Sequence, residues 1–206
     1  MIDLDLNAFM KDVHQNAVEH GWCDKPRTPG TIRSLFHCEL SEAVESYRKS
    51  EKDWYHKCAY GGVCEYQDVH AGTFDCSQCT PELRKPEGVC VELMDFVIRV
   101  LDSLAQQNEM IPQSMNTPRK MMDWALDDYL DAEDRDVLTL DVPDIADVLH
   151  DEICLSSVMK NPTYLLTACG LAMAWVEHRG LDPAELLLEK HKYNLTRSYL
   201  HGGKQC

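Results

Sequence analysis

The chain has 206 residues, with 35 acidic against 20 basic side chains and a formal net charge of −15. That length suits one sizeable core or two small ones, and the acidity excludes a general nucleic-acid surface, which needs clustered Lys and Arg. No stretch reaches the roughly eighteen apolar residues of a membrane span, and Met1-Ile2-Asp3-Leu4-Asp5 lacks the cationic and apolar regions of a signal peptide, so a cytoplasmic chain without membrane attachment is expected.

Helical periodicity runs through the sequence. A first helix is predicted near 6–20. The second, near 31–50, is apolar at 32, 35, 36, 40, 43, 44 and 47, with Glu39 and Glu42 bordering the stripe. Residues 51–87 show no sustained two-residue alternation and read as a loop. The third helix, near 88–107, is apolar nearly all round, as a buried bundle helix is, yet carries Glu92 and Asp95. Further helices are predicted near 118–131, 143–159, 162–179 and 183–195, separated by loops around 24–30, 108–118 and 200–206. Pro143 and Pro183 suit first-turn positions behind Asp141 and Asp182 as caps. The pattern predicts an all-α, up-and-down helical bundle.

Glu39 and Glu42 stand three apart, as do Glu92 and Asp95, so each pair leaves one side of its helix. Two such helices packed face to face form a cage of carboxylate oxygens, the hard ligands that Mg²⁺ and Mn²⁺ prefer. Acids on a buried helix need compensation, and metal coordination is one of the few arrangements that supplies it.

Between the acidic helices, Cys58, Cys64, Cys76 and Cys79 cluster in the 51–87 segment. With no export signal, the cysteines read as reduced thiols or metal ligands. Cys76-Ser77-Gln78-Cys79 has zinc-knuckle spacing, Cys58 and Cys64 are wider apart, and His56 or His70 can replace a cysteine. A structural Zn²⁺ would organise a segment too poor in large apolar residues to bury a core.

Four segments in order, from Val13 to Trp22, from His37 to Arg48, from Lys85-Pro86-Glu87-Gly88 into Glu92 to Asp102, and from Glu189 to Arg197 with His201-Gly202-Gly203-Lys204, resemble the MazG-like all-α nucleoside triphosphate pyrophosphohydrolases, relatives of the dimeric dUTPases. The resemblance covers roughly half of the chain. It implies Mg²⁺- or Mn²⁺-dependent hydrolysis of an NTP or dNTP between the α and β phosphates. It assigns Glu39, Glu42, Glu92 and Asp95 to the metal, and Lys192, Asn194, Arg197 and Lys204 to a tail that clamps phosphates and reads a base or sugar. Trp22 and His37 are candidates for the nucleobase or for packing. Arg99, one turn beyond Asp95, suits a phosphate, neutralisation of a metal-site acid, or a structural ion pair with Asp102 or Asp95. A non-catalytic, zinc-organised interaction module and a metal-dependent phosphohydrolase of another nucleotide class are the alternatives.

The chain departs from the family pattern twice. One departure is the Cys-rich insertion. The other is the stretch between Leu104 and Gly180, which looks like a second, degenerate copy. Displaced by 113 residues, Phe9, Val13 and Ala17 fall on Met122, Leu126 and Leu130, and Phe36 to Leu40 falls on Leu149 to Ile153; displaced by 71, Glu92 falls on Thr163 and Asp95 on Leu166. On this reading residues 1–107 are the catalytic half, with insertion 51–87. Residues 108–206 are a half that has lost its acids, followed by the basic tail. One site per chain follows, in a fused version of the family's homodimer that can itself pair again.

Overall fold

The computed structural model describes residues 1–58, 63–64, 84–132 and 136–200. Among them seven α-helices dominate: α1 Leu6–Glu19, α2 Pro29–Arg48, α3 Val89–Gln106, α4 Pro118–Ala132, α5 Val142–Met159, α6 Thr163–His178 and α7 Pro183–Leu195. Their starts follow from local chemistry. Asp5, Thr28, Asp141 and Asp182 each accept a hydrogen bond from a first-turn amide, satisfying a donor that the helix leaves unpaired. Pro29, Pro143 and Pro183 occupy first-turn positions, where a missing N–H is no loss. None of the described helices is long and apolar enough to cross a membrane.

The 51–87 segment differs from the loop its sequence suggests. It contributes β1 Tyr55–Cys58, β2 Val63–Cys64 and β3 Arg84–Glu87, an antiparallel sheet in the order β2-β1-β3 with His56 opposite both Cys64 and Pro86. Strands this short carry too few residues to show alternation, and Pro86 is tolerated because β3 lies at an edge. The sheet is rooted on α3. The carbonyls of Lys52 and Asp53 accept from the amides of Val89 (3.3 Å) and Cys90 (2.9 Å), capping that helix with backbone instead of a side chain. Gly88 makes this approach feasible: its φ is +116°, and a Cβ there would sit 2.5 Å from the Lys52 carbonyl oxygen.

Helices α3 and α6 form the centre of the core. Cys90, Leu93, Met94, Phe96, Val100 and Leu101 of α3 and Leu171, Met173, Trp175 and Val176 of α6 are nearly inaccessible. Around them the packing is paired: α1 and α2 lie on α3, α4 and α5 lie on α6, and α2 meets α5 as α3 meets α6. Burial aligns α1 with α4 at a displacement of 112, Leu6, Phe9, Met10, Val13 and Ala17 corresponding to Pro118, Met121, Met122, Ala125 and Tyr129. The capped starts of α2 and α5 correspond at 113, Thr28 with Asp141. The C-terminal hydrogen bonds of α3 recur on α6 at 72: the amides of Gln107, Asn108 and Glu109 bond the carbonyls of Leu104, Ala105 and Leu104, and those of Arg179, Gly180 and Leu181 bond Val176, Glu177 and Val176. Where α2 and α5 touch, His37 meets His150, 113 positions on, Nδ1 to Nδ1 at 2.7 Å.

Candidate active site

A cavity of about 290 Å³ opens between α1, α2, α3 and α7, near the small end of ligand pockets. Its floor is acidic. Glu39 from α2 and Glu92 and Asp95 from α3 bring carboxylate oxygens within 4.8 Å of one another, and Glu42 lines the same cavity. The i, i+3 spacing on two helices packed side by side produces this convergence. Glu39 and Glu92 are buried, with 7% and 5% of their surface exposed.

Burial sets the electrostatics. It pushes the Glu92 carboxyl up to about 8, against the opposing pull of Lys190, with Asp95 adding repulsion. Glu39 is raised for the same first reason, moderated by Arg99, whose Nε donates to its Oε1 at 2.7 Å. Three carboxylates crowded in a poorly solvated place are short of positive charge, and a divalent cation suits their hard oxygen donors. The donor set therefore fits Mg²⁺ or Mn²⁺.

The cations come from α3, α7, β3 and the segment that follows α7. Lys190 of α7, 1% exposed, places Nζ 2.7 Å from Asp95 Oδ2 and 3.4 Å from the Pro86 carbonyl oxygen. Burial opposes its charge, but Asp95 and Glu92 outweigh that effect and raise its pKa. Arg99 of α3, Lys85 of β3 and Arg197 beyond α7 also line the cavity. Lys85 additionally pairs with Glu87.

The remaining wall is a mixture of apolar surface and unsatisfied polar atoms. Trp22 is 8% exposed, and Val13, Ala17 and Leu35 line the same cavity. Asn16 Oδ1, His191 Nδ1 and Asn194 Oδ1 are buried without a hydrogen-bond partner among the described residues, and all three residues line the cavity. Burial lowers the His191 pKa and so favours its neutral ring. Such orphaned groups call for an external partner.

The structure thus brings Glu39, Glu42, Glu92, Asp95, Trp22, Arg99, Asn194 and Arg197 to one cavity. Two residues that the sequence suggests for substrate binding lie elsewhere. His37 is two residues, about 200° of helix, from Glu39, and faces His150 on α5. Lys192 is exposed and outside the cavity lining. Lys204, Cys76 and Cys79 lie outside the described residues, as do the side chains of Cys58 and Cys64. His56, an alternative zinc ligand by sequence, bonds Glu189 Oε1 through Nε2 at 2.5 Å.

Sequence reasoning missed Lys190, Lys85, Asn16 and His191. For Lys190 a signal was present: it lies four residues after Leu186 and three after Leu187, on the apolar stripe of α7, whereas Lys192 points away from that stripe. Asp102 is a further buried acid of α3. It bonds His14 Nδ1 at 2.8 Å and Arg27 Nη2 at 3.1 Å, tying α1 and the α1–α2 connection to α3. His14, Cys23 and Asp102 cluster closely enough to hold an ion, but the buried Arg27 guanidinium already compensates Asp102. No family model matches the chain, and no curated protein or solved structure does either.

Proposed function

We propose that the chain is a Mg²⁺- or Mn²⁺-dependent nucleoside triphosphate pyrophosphohydrolase of the MazG-like all-α type, converting an NTP or dNTP to the monophosphate and pyrophosphate. The observation that carries this reading is the convergence of Glu39, Glu92 and Asp95 within 4.8 Å, in a cavity that also presents Glu42, Lys85, Arg99, Lys190 and Arg197. Phosphoryl-transfer sites work by positioning and by charge neutralisation, so carboxylates for a metal beside cations for phosphates supply most of what is needed. The metal, when bound, neutralises phosphate oxygens and acidifies water. Glu42, which shows no ion pair among the described residues, orients the attacking water in this proposal. Arg197 and Lys85 bind the outer phosphates. Trp22 supplies a stacking face and Asn16, His191 and Asn194 meet the polar edge of the base, which would satisfy their orphaned atoms.

The domain reading belongs to the same proposal. The paired packing, the repeated helix-end hydrogen bonds and the contact of His37 with His150 support two halves related by a pseudo-twofold axis, since a residue touches its own counterpart only near such an axis. With the structural displacements, Glu39 corresponds to Glu152, Glu42 to Leu155, Glu92 to Tyr164 and Asp95 to Thr167. At these corresponding positions the second half keeps one acid of the four, so the proposal places one site in each chain. The proposed structural zinc rests on Cys58, Cys64, Cys76 and Cys79.

Product analysis across a panel of canonical and modified nucleotides with Mg²⁺ tests the function. Monophosphate and pyrophosphate are expected, abolished by EDTA and by Glu42→Gln. Orthophosphate as the released product would sink the reading, and absence of turnover across the panel would favour a non-catalytic role.

A further inference from the structure

Helix α7 is held from outside the bundle by the β-sheet insertion. Trp54 Nε1 donates to Glu189 Oε2 at 3.1 Å and His56 Nε2 engages Glu189 Oε1 at 2.5 Å, so both carboxylate oxygens are gripped from β1 and the residue before it. The next residue is Lys190, whose ammonium enters the cavity between Asp95 Oδ2 and the Pro86 carbonyl oxygen of β3. The sheet itself is anchored. Asp53 receives two hydrogen bonds from Arg179 at the end of α6, at 2.9 and 3.0 Å, and its backbone caps α3. The insertion therefore touches both sides of one residue pair on α7.

We propose that Glu189 is a positioning residue, through which Trp54 and His56 fix the rotation of α7 and hold Lys190 against the carboxylate cage. The inference rests on the proposed catalytic reading and adds to it a role for the insertion. The geometry sets the scale. Side-chain tips lie about 6 Å from a helix axis, so a turn of about 10° moves them by about 1 Å. A misplacement of that order in a catalytic group lowers a rate up to about 100-fold. Lys190 is poised for such sensitivity, because it is buried and its ammonium already sits on a cage carboxylate. When the grip is lost, Lys190 leaves Asp95. One positive charge is then withdrawn from the cage, which frees Asp95 for a cation while removing the ammonium from the reacting phosphates.

Two quantities consequently move in opposite directions, which a simple loss of structure does not produce. In the full chain, Glu189→Gln, His56→Gln and Trp54→Phe are compared with the wild type. Mn²⁺ affinity is read from the free-Mn²⁺ electron paramagnetic resonance signal, and turnover from pyrophosphate release. Glu189→Gln is expected to bind Mn²⁺ severalfold more tightly while its kcat falls at least tenfold. In a Lys190→Gln background the same substitution is expected to change neither quantity further. Unchanged values in Glu189→Gln would overturn the proposal, as would a joint fall in Mn²⁺ affinity and kcat, or full additivity with Lys190→Gln. If Lys190→Gln does not fold, the opposite movement in the single variants decides alone. A wild-type protein that binds Mn²⁺ but releases no pyrophosphate refutes the catalytic reading, and the Mn²⁺ comparison then still judges the positioning role.

Discussion

Lys190 Nζ and Asp95 Oδ2 lie 2.7 Å apart across the α3–α7 contact, with the lysine almost wholly shielded from water. Removing one partner of such a pair leaves an uncompensated charge in a poorly solvated place. Lys190→Met is expected to destabilise the metal-free protein by about 3 kcal/mol, measured by urea denaturation. Adding Asp95→Asn should recover most of that loss, since both charges are then gone.

Glu92 gives the metal-free protein a pH signature. Its pKa rises to about 8 in the folded state from an ordinary value of 4.5, so the folded protein holds the proton more tightly than the unfolded chain. That contribution is complete below about pH 4.5 and is lost as pH climbs through 8. The urea midpoint attributable to this group should therefore fall between pH 5 and 8 without divalent cation. Glu92→Gln should flatten the fall, and saturating Mg²⁺ should reverse it in the wild type.

The His37–His150 pair acts in the opposite direction. Burial first, and then the neighbouring charge of Arg33 for His37 and of His37 for His150, hold both rings below the usual imidazole value of 6.5. At 2.7 Å one Nδ1–H donates to the other Nδ1, so the accepting ring must be neutral. Stability from this contact is present above about pH 6.5 and is lost as pH falls below it. Replacing His150 with Gln should remove that part of the acid sensitivity, read as the difference in thermal midpoint between pH 7.5 and 5.5.

Asn194 separates affinity from stability. Its Oδ1 has no partner among the described residues, so truncation removes an unpaired acceptor and breaks no hydrogen bond described at that atom. Asn194→Ala should raise KM about tenfold, the equivalent of one hydrogen bond near 1.4 kcal/mol, with kcat and thermal midpoint little changed. A matching fall in thermal stability would mean that the side chain is structural.

Much of this fold is legible in the chain because caps and periodicity are local. Asp141, Pro143, Asp182 and Pro183 announce their helices without reference to anything distant. The sheet is not legible in the same way: β1 is held by β3, nearly thirty residues on, and pairing over that distance leaves no local pattern. For the acidic floor, i, i+3 spacing fixes a face for each pair, while the packing of the two faces against each other is suggested by the apolar stripes around them and by the family resemblance. The cations of the tail needed the phase of α7, which Leu186 and Leu187 set through burial. His37 shows the converse limit. It lies beside Glu39 in sequence, yet the helix turns it away from the cavity.

The contact between His37 and His150 carries one more implication. In an assembly of two identical chains, a residue on the symmetry axis meets its own copy, and every substitution there arrives twice. Under the duplication proposed above, both positions are written into a single chain and can diverge independently. On that proposal one half is free to become specialised scaffold, and an appendage such as the β-sheet needs to be present only once.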